Sequence, residues 1–139
     1  MNIIIHRGTH QIGGSAIEIS TASTRIILDF GNELSLDEKY IPINLDIDGV
    51  TKGMPDCDGI VISHYHIDHL GQLTSALPEI PLYMGKLSKE VAMIATEHQD
   101  KDLYLRLLGA NTFRGGEAFT IGNIHIRPLV IDHSAVDSY

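Results

Sequence analysis

Six residues, His64-Tyr65-His66-Ile67-Asp68-His69, follow directly on the apolar run Gly59-Ile60-Val61-Ile62-Ser63. They place three imidazoles and a carboxylate at the end of what reads as a buried strand, so any fold open to this chain must gather that cluster at a strand end. With 8 His and 11 Asp in 139 residues, His-x-His-x-Asp-His arises by chance about 2 times in 1,000. That figure favours a metal site over an accident of a polar loop.

The length is that of one ordinary domain, and 43% hydrophobic content with 20% charged residues suffices to bury a core. A single domain over residues 1–139 is expected. Lys+Arg 10 against Asp+Glu 18 leaves a net charge of −8, a poor match for a surface that grips nucleic acid by its phosphates alone. Basic contacts from elsewhere in a larger protein would serve instead. The lone Cys57 excludes an internal disulfide and a Cys-x-x-Cys metal site, and it fits a reducing compartment. Met1–Ile5 has neither a basic flank nor a cleavage site, so it is not read as a secretory signal. No apolar stretch approaches the ~20 residues of a membrane helix. A soluble, cytoplasmic protein is expected.

Alternation predicts strands over 2–6, 15–19 and 25–30, with Ser20-Thr21-Ala22-Ser23-Thr24 as a turn and 7–14 as a glycine-punctuated loop at one rim of a sheet. That loop is not a phosphate loop, because it lacks Lys-Ser/Thr and leads into a strand. Residues 31–58, with Pro42, Pro55, Gly49, Gly53 and seven acidic residues, read as an irregular connection with at most a turn of helix. Next come a short helix over 70–77 and a strand over 81–84. A helix capped at or near Ser88 follows, with Leu87, Val91, Ile94 and Ala95 as its apolar stripe. Another spans 102–108, with Leu103 and Leu107 on one side, before Gly109 stops it. Strands over 118–121 and 124–131, joined at Gly122-Asn123, close the chain.

Residues two apart in extended backbone project to one side, which brings His64 and His66 to one point. His133, just beyond another apolar strand, is the candidate third ligand, and three histidines leave an open position for a water whose pKa falls to about 7 on zinc. That chemistry is hydrolysis. Asp68 and His69, near the start of a helix, point to a neighbouring second metal position. Tyr65 and Ile67, alternating with the ligands, are expected to pack. His6 and His10 are read as hydrogen-bonding loop residues, His98 as a solvated helix-end residue, and His125 as facing solvent.

Asp29 after one strand, His64-x-His66-x-Asp68-His69 after another and His133-Ser134 after a third together resemble the metallo-β-lactamase superfamily. The segments His6-Arg7-Gly8-Thr9, Gln11-Ile12-Gly13-Gly14-Ser15 and Asp132-His133-Ser134-Ala135-Val136-Asp137-Ser138 resemble its RNA-processing branch, with ribonuclease J and the β-CASP nucleases, more than β-lactamases or glyoxalases. The resemblance implies an α/β fold, the N-terminal half of an αββα sandwich, with a mixed β-sheet and helices packed on one face. It implies that His64, His66 and His133 bind a first metal and Asp68 and His69 a second, that Asp68 also positions the attacking water, and that Asp29 stands behind the ligands and orients one of them. Ser134 is a candidate substrate contact.

The family's bridging Asp and last His lie downstream of the position matching His133, and neither is found in these 139 residues, so a fragment of a longer hydrolase is expected. Two divalent ions, zinc first with manganese or iron as alternatives, are expected in the parent protein, and at most one bound tightly here. The leading expectation is metal-activated water attacking a phosphodiester, with RNA as the partner. Hydrolysis of a small thioester, lactone or lactam, or metal binding without chemistry, are the alternatives.

Overall fold

The computed structural model describes residues 1–35 and 43–139. Among the described residues eight strands form: β1 Asn2–Arg7, β2 Ala16–Ser20, β3 Arg25–Leu28, β4 Gly59–Ile62, β5 Leu82–Gly85, β6 Asn111–Phe113, β7 Phe119–Ile121 and β8 Ile124–Ile126. The helices are α1 Ile67–Leu70, α2 Lys86–Thr96 and α3 Lys101–Leu108, with a 3-10 turn at Leu73–Ser75. Six strands form one mixed sheet in sequential order from β1 to β6. The pairs β1–β2 and β2–β3 are antiparallel, and the pairs from β3 to β6 are parallel. The α/β class and the mixed sheet are those the sequence led one to expect.

The strand period of two sorts the apolar residues onto two faces. Ile27, Ile60, Ile62, Leu82 and Met84 point one way and pack with Phe30, Leu70, Leu73, Ala92, Leu103 and Leu107, burying the helices on that face. Ile26, Val61, Leu28 and Tyr83 point the other way, where Phe113 and the β7–β8 hairpin meet them. Strand β4 is buried along its whole length, which explains its unbroken apolar composition. The hairpin covers only part of its face, and Leu129, Val130 and Ile131 remain more than half exposed beside it.

Several expectations need correction. In place of the helix expected over 70–77 the chain forms α1 three residues earlier, ending at Leu70, and a 3-10 turn at Leu73–Ser75, with Gly71 closing the first and the buried Gln72 side chain drawn off to Leu45 N–H and the Ile43 carbonyl. Helix α2 turns a different stripe inward. Ser88 and Ala92 are buried while Leu87, Ile94 and Ala95 are exposed, since two small residues let the helix approach the sheet closely. The final strand stops at Ile126 and not at Ile131, as Pro128 has no N–H for a ladder. Strand β6 was not foreseen; three residues between a helix and a glycine pair are too short to show a period. The predicted 31–58 connection is irregular where described, and Pro42 lies outside the described residues.

Candidate metal centre

The site grows from the carboxyl ends of two adjacent parallel strands, β3 and β4. One residue beyond β3, Asp29 adopts φ 57°, a left-handed conformation that Asp tolerates better than most residues. Its N–H still bonds the Val61 carbonyl at 2.9 Å, so the kink turns the carboxylate across the end of β4. There it accepts from Ser63 N–H at 2.8 Å, from the Ser63 hydroxyl at 3.0 Å and from His69 Nδ1 at 2.8 Å. Asp29 thus ties together both ends of the histidine segment.

Ser63 carries a second consequence. Its oxygen is 3.0 Å from His64 Nδ1, and a hydroxyl has one hydrogen. If that hydrogen goes to Asp29, the hydroxyl accepts from His64 Nδ1–H, which leaves the His64 Nε2 lone pair facing inward. That nitrogen lies 3.1 Å from both His66 Nδ1 and His133 Nε2. His64 is buried, and burial first, then the charges of His69, His66 and His133, push its pKa down to about 4. A neutral ring with an inward lone pair is a ligand form of histidine. The three imidazoles offer nitrogens all within 4.8 Å of one another, the one such group among the described residues.

Asp68 and His69 sit alongside. His69 Nε2 lies 3.3 Å from Asp68 Oδ2, and the His69 ring centroid is 4.0 Å from that of His64. Burial alone would lower the His69 pKa, but the Asp29 hydrogen bond and the charges of Asp29 and Asp68 outweigh it and raise the value. With Nδ1–H given to Asp29, Nε2 and the Asp68 carboxylate are two acceptors face to face, an arrangement that a proton or a cation between them would relieve.

Backbone contacts fix α1 in place. The Asp68 carbonyl accepts from Gly14 N–H at 3.1 Å and Ser15 N–H at 3.3 Å, Phe30 N–H reaches the His69 carbonyl at 2.7 Å, and Asn32 N–H reaches the Ile67 carbonyl at 3.0 Å. A side chain at Gly31 would collide with the Asp68 backbone, and one at Gly13 would come within 2.7 Å of Asp68 Cβ. Gly13 and Gly31 therefore serve close approach to the site. Buried Arg7 props the loop from behind, donating to the carbonyls of Gly14, Ile43 and Gly31. An open cleft of ≈ 440 Å³, lined by Leu28, Val61, Ile131 and Tyr139, runs up to Asp29 and Ser63 from the sparsely covered sheet face.

The structure brings together His64, His66 and His133, sets Asp68 and His69 beside them, and puts Asp29 behind His69. Ser134 is exposed next to His133, and His133 itself sits in an irregular segment well past the end of β8 and not at a strand end. Tyr65 packs on the core and Ile67 is half exposed. His6 lies elsewhere, 3.0 Å from Glu18. His98 and His125 are exposed. Sequence reasoning passed over Ser63, whose only signal was a hydroxyl ending an apolar run against the first histidine.

No protein-family model matches the chain. A protein named "Probable RNase MJ4" from Methanocaldococcus jannaschii is 32% identical over 97 residues, which is 68% of this chain and 21% of that protein. "RNase aCSPSF2" of Saccharolobus solfataricus is 37% identical over 110 residues, 74% of this chain and 19% of that protein. The chain thus spans about a fifth of the length of these relatives. The crystal structure of an Enterococcus faecalis protein of unknown function has the same fold, with a TM-score of 0.80 at 20% identity over 98% of this chain and 39% of that one. The chain is a homologue of these archaeal proteins, a group that includes an "RNase J-like protein" of M. jannaschii.

Proposed function

We propose that the chain is the metal-binding half of a metal-dependent hydrolase that cleaves a phosphodiester, with RNA as substrate, in a protein of the relatives' full length. The observation that carries this reading is the convergence of His64 Nε2, His66 Nδ1 and His133 Nε2 on one point, with His64 held neutral. The donor set of imidazoles and carboxylate suits zinc, with manganese or iron as alternatives. His64, His66 and His133 would hold the first ion. Asp68 and His69 would contribute to a second, whose remaining ligands come from outside residues 1–139. Bound there, the ions supply Lewis acidity, activating water and neutralising charge on the phosphodiester.

The chain's own residues then have distinct tasks. Asp68, partly buried beside the cluster, orients the attacking water and takes its proton. Asp29 orients His69 through Nδ1 and keeps Nε2 free. Ser63 does the same for His64. Ser134, exposed beside His133, would meet substrate. RNA as substrate is supported by the names of the relatives, and a cytoplasmic setting by the single free Cys57. Among the described residues no helix is long and apolar enough to cross a membrane.

Two measurements test the reading. Metal analysis of the 139-residue chain should find one tightly held ion, lost in His64→Ala. A protein of the relatives' length, loaded with zinc or manganese, should cleave RNA; folded, metal-replete protein without cleavage would eliminate the nuclease assignment. Two tightly held ions and turnover in the 139-residue chain would contradict the division of ligands given above.

A further inference from the structure

His133 differs from its two partners in how it is held. His64 follows from β4 and is braced by Ser63, which bonds Asp29 in turn, and the His66 carbonyl accepts from His69 and Leu70 N–H at the start of α1, whereas His133 arrives 69 residues after His64 on an irregular segment with no ladder to support it. Something else must hold that imidazole within 3.1 Å of His64 Nε2. The segment is closed on itself by two bonds, Ile131 N–H to the Ser138 carbonyl at 3.1 Å and the Ser138 hydroxyl to the Ala135 carbonyl at 2.7 Å. Tyr139 N–H then joins it to the Ser63 carbonyl at 3.2 Å, next to His64.

The anchor of this loop is Asp137. Its backbone is left-handed, φ 61°. Its Oδ2 accepts from Leu87 N–H at 2.8 Å and Ser88 N–H at 3.1 Å, and its Oδ1 accepts from the Tyr139 hydroxyl. Helix α2 begins at Lys86 with Gly85 before it and no cap of its own, so a carboxylate from 50 residues away satisfies its first free N–H groups. The seat is shaped for the loop by two further residues. A Cβ at Gly85 would come within 2.5 Å of Asp137 Oδ2 and 2.6 Å of the Tyr139 ring, and one at Gly115 would collide with Val130. Neither glycine has positive φ, so close approach is what each provides.

We propose that Asp137, capping α2 from a distant loop, is a positioning residue for His133, so that seating of the 131–139 loop on α2, Gly85 and Gly115 completes the three-histidine set. This rests on the metal-binding reading above. The loop gains nothing for α2 alone that a local Ser or Asp at the N-cap would not provide. What the remote cap adds is a fixed position for the loop, and fixing a ligand beforehand raises affinity by removing the cost of ordering it.

The test compares zinc affinity, by chelator competition at neutral pH, with metal-free unfolding stability across variants of the 139-residue chain. Asp137→Gly accepts the left-handed backbone without strain and removes only the carboxylate; it should weaken zinc binding by about tenfold or more. Asp137→Asn keeps an oxygen for Leu87 and Ser88 and should stay within about threefold. Asp100→Ala removes the comparable cap of α3, whose Asp100 Oδ1 accepts from Leu103 N–H at 3.0 Å, and should lower stability while leaving zinc affinity unchanged. If Asp137→Gly does not fold, Gly115→Ala, which presses the loop off its seat, should show the same loss of affinity. Wild-type affinity in Asp137→Gly or Gly115→Ala, with weak binding in His133→Ala, overturns the positioning role and spares the metal site. Equal binding in wild type and His133→Ala overturns the metal-binding reading and the positioning role with it.

Discussion

Replacing Ser63 by Ala isolates the hydroxyl that joins Asp29 to His64. Asp29 keeps two of its three donors, Ser63 N–H and His69 Nδ1–H, both at 2.8 Å, so its carboxylate is not stranded. His64 fares worse. The residue is 4% exposed, and with the hydroxyl gone its Nδ1–H has no acceptor, a buried unsatisfied donor that costs about 1–3 kcal/mol. The ring can escape by moving the proton to Nε2, but that nitrogen faces His66 and His133, so the escape blocks the lone pair a metal would use. Ser63→Ala should therefore lose about 2 kcal/mol of metal-free stability in urea unfolding. Zinc affinity should fall roughly 10- to 100-fold, the usual effect of losing a group that orients a ligand. Ser63→Thr, which keeps the hydroxyl, should recover most of both, and imidazole nitrogen shifts should report the His64 tautomer directly. A Ser63→Ala protein with stability within about 0.5 kcal/mol of wild type and unchanged zinc affinity would refute the assigned proton positions.

Three further outcomes are expected. Glu18 is buried, and although burial alone would raise its pKa, hydrogen bonds from Arg25 at 2.8 Å and His6 at 3.0 Å lower it below the ordinary 4.5. A depressed carboxylate stabilises above its unfolded pKa, so the stability difference between wild type and Glu18→Gln should be full above pH 4.5 and shrink as pH falls below it; a difference that is flat with pH sinks this account. Gly31→Ala would drive a methyl group into the Asp68 backbone and should cost about 3 kcal/mol or more by urea unfolding, whereas a neutral effect would mean α1 can shift freely. Burial and the Asp137 contact push the Tyr139 hydroxyl up to about 12, so its ultraviolet titration should lie well above that of an ordinary tyrosine and fall toward 10 in Asp137→Gly; a midpoint near 10 in wild type would show that the loop is not seated.

How much of this was legible beforehand depends on the range of the forces involved. The apolar run ending at Ser63, the alternation in β2 and β3 and the Leu103/Leu107 pair are local periods, and each became the element it implied. The inward face of α2 was not legible, because a helical period fits the Leu87 stripe as well as the Ser88/Ala92 stripe. Only the closeness of the sheet chose the small residues. Asp137 carried no local signal at all. It caps a helix that begins 51 residues before it, and nothing in the composition of either segment points to the other.

The histidine cluster, its place after a buried strand and the kinship with RNase J-like proteins could all be read from the amino-acid order, since ligand spacing along one extended segment is set by backbone geometry. Which nitrogen of each ring faces inward, what holds His133 against His64 and how Asp29 comes to brace both ends of the cluster were decided by tertiary structure. Those features arise where parallel strand ends, a remote loop and two glycine seats meet, and contacts between segments tens of residues apart leave no period along the chain.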